Sequence, residues 1–133
     1  TGSEVALAVE AASKLQRRGT GVRVVSMPSR EWFLAQSHGY QESVLPSGVP
    51  RVGVEAATAF GWADVLGPDS TFVGIETFGV SAPAEDALRR LGMTSERVVQ
   101  AVEDTLRRGA LTSSPDHPTR SDDWSTPEAT TRH

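Results

Sequence analysis

Glu55 and Glu76 close two short apolar runs, RVGVEA and TFVGIE. Runs of this kind read as strands, and in a parallel sheet the carboxyl ends of strands face the ligand crevice. Two carboxylates on that edge could do acid–base work or hold a hard cation. The competing reading is that each caps or bridges a neighbouring loop or domain. It is preferred, because spacing along the chain does not set their separation. His38, in AQSHGY, is the histidine that lies outside the C-terminal stretch holding His117 and His133. As a general base it would need an acid to orient it, and none is placed by the sequence, so an exposed helix-end position is expected. Ser26, Ser29 and Ser81 are candidate nucleophiles by type. No Gly-x-Ser-x-Gly elbow surrounds any of them, so strand-end and capping roles are expected.

Phosphate chemistry has one candidate. The segment FGVSAP, Phe78 to Pro83, runs into a helix start, where an anion is favoured. It carries Val80 and Ala82, and Pro83 removes a backbone donor, so a packing surface is the expected role. GTGVRV puts its glycines before a strand, which is the wrong side for cradling phosphate. Neither a Gly-x-Gly-x-x-Gly turn after a strand nor a Walker loop occurs. The chain has 133 residues and no cysteine, which excludes thiolate catalysis, disulfides and cysteine-held metal. That composition suits a cytoplasmic location. A formal net charge of −4 leaves no basic footprint for nucleic acid or anionic membrane. No apolar run approaches the about 18 residues of a membrane span.

The elements that would position these groups follow from periodicity. Val5, Ala8, Val9, Ala12 and Leu15 recur at helical spacing behind a Ser3 cap, with Lys14, Arg17 and Arg18 in the last turn and Gly19 as the stop. VRVVSMP, Val22 to Pro28, reads as a buried strand. Ser29 caps a helix REWFLAQ, which SHGYQESVL continues after Gly39, and Pro46 ends the region. Arg51–Ala56 and Thr71–Glu76 are two further strands, joined by a short helical or irregular FGWADVLG. PAEDALRRLG is a helix ending at Gly92, with Glu85 and Asp86 each four residues before an Arg. Thr94 caps the last helix, Met93 and Val98 form a staple around the cap, and Val98, Val102 and Leu106 make the inner stripe up to Gly109. Trp32, Phe33, Tyr40, Phe60 and Trp62 are the heavy apolar anchors of the middle. Core positions are expected for them, or a patch against another domain.

Strands alternating with helices imply an α/β, three-layer αβα architecture with a mostly parallel sheet over residues 1–109. Residues 110–133 are rich in Ser, Thr, Pro and Asp and are expected to form a disordered tail. The opening TGSEVALAVE lacks a Met, and a fragment of a longer chain is expected.

Taken in series, TGSEVALAVEAA, GVRVVSMPSREWFLAQ, YQESVLP, RVGVEAATAFGW and VGIETFGVSAPAEDALRRLGMTSERVV resemble the C-terminal domain of transketolase, in order from Thr1 to about Leu106. The resemblance implies a parent homodimer that uses thiamine diphosphate and Mg2+. That parent moves a two-carbon ketol unit from ketose phosphates to aldose phosphates in the pentose phosphate pathway. It also implies that catalytic, cofactor-binding and metal residues lie in upstream domains, so no position here is assigned such a role and this segment alone is expected to be inactive. Alternatives are a stand-alone regulatory or interaction module and a small-ligand domain. In the family a strand leads directly into the Thr-Gly-Ser-Glu turn. That first strand is missing here, which predicts unpaired backbone and marginal stability. The FGVSAP loop is expected to dock the domain against its neighbours.

Overall fold

A computed structural model describes residues 3–75 and 84–112 of the chain. Helix α1 spans Ser3–Arg17, with Glu4 at its positive end and Lys14 and Arg17 at its negative end. It stops as its sequence dictates. Gly19 takes φ +83°, Thr20 N–H donates to the Leu15 carbonyl and Gly19 N–H to that of Gln16, both at 3.0 Å. These two bonds are a Schellman cap, which needs the left-handed residue that glycine supplies without strain.

The chain then crosses residues 20–29 and forms two short helices, α2 (Arg30–Leu34) and α3 (His38–Val44). Ser29 caps α2 by accepting from Trp32 N–H at 3.2 Å, as its sequence position predicted. Strand β1 (Val52–Val54), helix α4 (Ala63–Leu66) and strand β2 (Thr71–Val73) follow. The strands pair in parallel, Val52 with Thr71, Gly53 with Phe72 and Val54 with Val73. Helix α5 (Ala84–Arg90) ends in a second Schellman cap at Gly92, and α6 (Ser95–Thr112) closes the described chain. Thr94 caps α6 by accepting from Arg97 N–H at 3.2 Å.

The core is aliphatic. Ala11 and Leu15 of α1 meet Val73, Met93, and Val98, Val99 and Ala101 of α6, with Val52 and Val54 packed against them. These valines share one face of the sheet. The opposite face carries Phe72, whose ring lies 6.2 Å from that of Trp62, and Gly53, whose missing side chain points at Leu66. Helices thus cover both faces of a small parallel sheet, the α/β layering that the alternation of elements predicted.

Four expectations change. Val22–Pro28 is not a strand: among the described residues, no backbone–backbone hydrogen bond joins 21–28 to another segment. β-branched residues favour a strand, but a strand exists only when a neighbour supplies the ladder. Helix α6 runs through Gly109 to Thr112, because an isolated glycine weakens a helix without ending it. The heavy aromatics are not the core either: Trp32 is 77% exposed, Phe60 92% and Tyr40 52%, with Phe33 and Trp62 half-buried. Leu106, predicted on the inner stripe of α6, is also exposed.

Thr105 is the polar residue set deepest against the sheet, 2% exposed. Its Oγ1 donates to the Ala101 carbonyl at 2.6 Å and meets the Thr71 hydroxyl at 2.6 Å, and the Arg108 guanidinium also donates to Thr71. Thr105→Val keeps the shape and removes the acceptor for Thr71. The expected loss is about 1–2 kcal/mol of stability, read by urea denaturation.

Candidate functional site

An apolar cleft of about 310 Å³ runs along the open side of β1. Val5, Ala8 and Ala12 of α1 form one wall, and their small side chains leave the space unfilled. Val22–Met27 form another, and Val52 and Val54 a third. Polar groups sit at its ends. Glu4 is buried, and its Oε1 accepts from Ala56 N–H at 3.2 Å. Glu55 lies on the cleft at the end of β1. Glu76, its expected partner, is outside the described residues, as are Ser81 and the FGVSAP loop. Ser26 faces the same cleft, exposed to solvent.

His38 is the exposed first residue of α3, the helix-end position expected of it. It borders a smaller cavity of about 170 Å³ with Glu42, Ser47, Arg51 and Asp64. Arg51 is committed there to structure, donating to the carbonyls of Val65 at 2.6 Å, Leu45 at 2.8 Å and Pro46 at 3.1 Å. Glu42 is held by Ser47, whose N–H and hydroxyl donate at 2.7 and 2.8 Å. Those two bonds keep its carboxyl below the usual range, so it is a poor proton acceptor for His38. Nucleophile, base and orienting acid are not brought together in this cavity.

Sequence spacing missed the charge cluster that ties α1 to α6. Lys14 Nζ reaches Glu96 at 2.5 Å, Ser95 at 2.8 Å and Glu10 at 2.9 Å. The Glu96 bond, then that from Glu10, raises the Lys14 pKa above 10.5, and Lys14 lowers both carboxyls below 4.5. The acids therefore add stability that is present above pH 4.5 and fades as pH falls through their lowered values. The lysine adds stability present below pH 10.5 and lost as pH rises through its raised value. All three are solvent-screened, so the gain is small. Lys14→Met should flatten the acid limb of a melting-temperature–pH curve below pH 4.5, and raised salt should do the same to the wild type.

The arrangement offers an unfilled apolar cleft, a carboxylate edge and exposed aromatics, but no assembled catalytic group among the described residues. The profile of the "Transketolase-like TK C-terminal domain" matches residues 1–94. The chain belongs to the transketolase family. It corresponds to the C-terminal domain. It is 49% identical over 105 residues to Transketolase 7 of Craterostigma plantagineum, covering 78% of this chain and 16% of that one. Transketolase 1 of Aliivibrio fischeri is 47% identical over 107 residues, covering 80% and 16%. The solved transketolase of Leishmania mexicana superposes with a TM-score of 0.73 at 46% identity, covering 80% of this chain and 15% of that one. The transketolase domain described here thus spans about 16% of the length of such relatives.

The expected parent cofactors are thiamine diphosphate and Mg2+. The described residues do not fit them. The cleft is walled by Val and Ala, Arg51 is spent on three carbonyls, and Arg23 on those of Ser43 and Val44. Among the described residues no three of His, Asp or Glu converge.

Proposed function

We propose that this chain is the structural C-terminal domain of a thiamine-diphosphate transketolase, which transfers a two-carbon ketol unit from a ketose phosphate to an aldose phosphate. Its work is scaffolding. It gives the catalytic domains a rigid α/β body to pack on, within a cytoplasmic homodimer of the pentose phosphate pathway. The observation that carries this reading is the match over residues 1–94 to the transketolase C-terminal domain. Trp32, Tyr40 and Phe60, exposed on this body, are the kind of side chains that a neighbouring domain covers. The domain body is best drawn through α6 to Thr112.

Two assays test this. The chain alone, given thiamine diphosphate, Mg2+, a ketose phosphate and an aldose phosphate, should give no turnover. Residues 1–112 grafted in place of the last domain of the Craterostigma plantagineum relative should restore an active enzyme. Turnover by the isolated chain, or an inactive but folded chimera, would contradict the reading.

A further inference from the structure

We propose that Arg30 is a latch on the turn between β1 and α4: its guanidinium holds that turn in one conformation and so presents Phe60 as a preformed anchor. The segment between the two elements is fixed at both ends. Ala57 C=O accepts from Ile75 N–H at 3.1 Å, which ties it to the sheet. Trp62 caps the start of α4, accepting from Leu66 N–H at 2.9 Å, and its ring lies 6.2 Å from that of Phe72. Between them Thr58, Ala59 and Phe60 are exposed. Among the described residues this stretch makes one backbone–backbone bond of its own, Trp62 N–H to Ala59 C=O at 3.1 Å. A lone solvent-facing hydrogen bond is a weak hold on a turn, because water competes for both partners.

The second hold comes from α2, 31 residues away along the chain, where Arg30 Nη1 donates to the Gly61 carbonyl. Gly61 takes φ +78°, in the left-handed region that glycine enters without strain. A Cβ on Gly61 would run into the same guanidinium, so the absent side chain is also what lets Arg30 in. The fork is aimed from its other side. Nη2 donates to Glu31 at 3.2 Å, and the Ser29 hydroxyl donates to that carboxylate at 3.4 Å. The Arg30 side chain is 31% exposed, so water is partly kept from the Gly61 bond. A planar guanidinium serves Gly61 and Glu31 in one fixed geometry, which the point charge of a lysine ammonium does not.

Two separate devices, a left-handed glycine and an arginine from another helix, thus converge on a turn whose outermost side chain is apolar. Phe60 stands beside Gly61 in that turn and is 92% exposed. Docking a side chain from a loose loop costs the ordering of the loop, and holding it beforehand removes that cost. Rigid aromatic anchors are among the residues that dominate interface energies. The partner is the neighbouring domain of the scaffolding role proposed above, offering an apolar pocket to one phenyl ring. That part rests on the scaffolding role; the latch itself does not.

Hydrogen exchange on the full 1–133 chain tests the latch. Arg30→Ala should speed exchange at the Trp62 amide by about tenfold, through local opening of the turn. The Glu55 and Ile75 amides, which bond to Val73 and Ala57, should stay within about twofold. Arg30→Lys should behave as Arg30→Ala. Gly61→Ala displaces the guanidinium and should have the same effect, and Arg30→Ala on that background should add little. Unchanged Trp62 exchange in Arg30→Ala, or equal acceleration at Glu55 and Ile75, would overturn the latch. If Gly61→Ala fails to fold, Arg30→Ala and Arg30→Lys decide. The anchor is tested in the chimera with the catalytic domains of the Craterostigma plantagineum relative. Phe60→Ala and Arg30→Ala should each lower the temperature at which activity is lost, with little further loss when combined. A chimera indifferent to both, with the exchange result as expected, would leave the latch standing and overturn the docking role of Phe60.

Discussion

Leu15→Ala is expected to lower the stability of this domain by about 3–4 kcal/mol, enough to unfold much of a marginal chain at room temperature. Leu15 is 1% exposed and sits where α1 crosses α6, against Val73, Met93, Val98 and Val99. Among the described residues the sheet has two strands, and the core cluster lies where α1 and α6 pack on them. Truncation leaves a cavity between parts that cannot collapse: α1 is pinned at one end by the Glu4–Ala56 bond and at the other by Lys14 on Ser95 and Glu96. Val9→Ala is the control, on the same helix but 53% exposed, and should change stability by no more than about 0.5 kcal/mol. Urea denaturation followed by far-UV circular dichroism measures both. Similar losses for the two variants would mean that the α1–α6 contact is not the main source of stability.

Local signals proved reliable where the physics is local. The Gly19 and Gly92 stops, the Ser29 and Thr94 caps, and the helix carrying Leu15 were all legible, because each depends on backbone conformation or on neighbours within a few residues. Met93 and Val98, expected to staple the α6 cap, are both buried in the core cluster. Val22–Pro28 misled because residue type reports what a side chain favours, not whether the backbone has a partner beside it. The aromatics misled for a related reason. Trp32 and Phe60 are large and apolar, yet burial depends on what lies opposite, and here nothing among the described residues covers them. The tertiary ties were invisible to spacing: Glu4 reaches a backbone 52 residues away, and Lys14 a carboxylate 82 residues away. Of the carboxylate edge, Glu55 is placed on the cleft, while Glu76 lies outside the described residues. The family was legible because several long segments match in order, which no single motif here could have supplied.

Gly74→Ala should cost about 2–3 kcal/mol, a large effect for the addition of one methyl group. A Cβ there would stand 2.2 Å from Phe72 Cε1 and 2.5 Å from the Ala57 carbonyl oxygen. Neither neighbour can yield cheaply. The Ala57 carbonyl accepts from Ile75 N–H at 3.1 Å, so moving it breaks the continuation of the β1–β2 pairing. Phe72 packs on Trp62, so rotating its ring opens the outer face of the sheet. Gly53→Ala is the informative comparison. Its Cβ would meet Leu66 Cδ1 and Phe72 Cδ2 at 2.8 Å, a milder overlap with the Phe72 ring and none with backbone, so its cost should be smaller. Gly21→Ala meets nothing within 4 Å and should be near neutral. The distinguishing readout is Trp62. If Phe72 is what yields, Gly74→Ala shifts tryptophan emission, and adding Phe72→Leu recovers part of the lost stability. If the Ala57 carbonyl yields instead, Phe72→Leu recovers nothing and exchange at the Ile75 amide accelerates. In a chimera with catalytic domains, the proposed scaffolding role predicts that Gly74→Ala lowers the temperature at which activity is lost, with KM unchanged below it. A raised KM at low temperature would place this end of the sheet against the substrate instead.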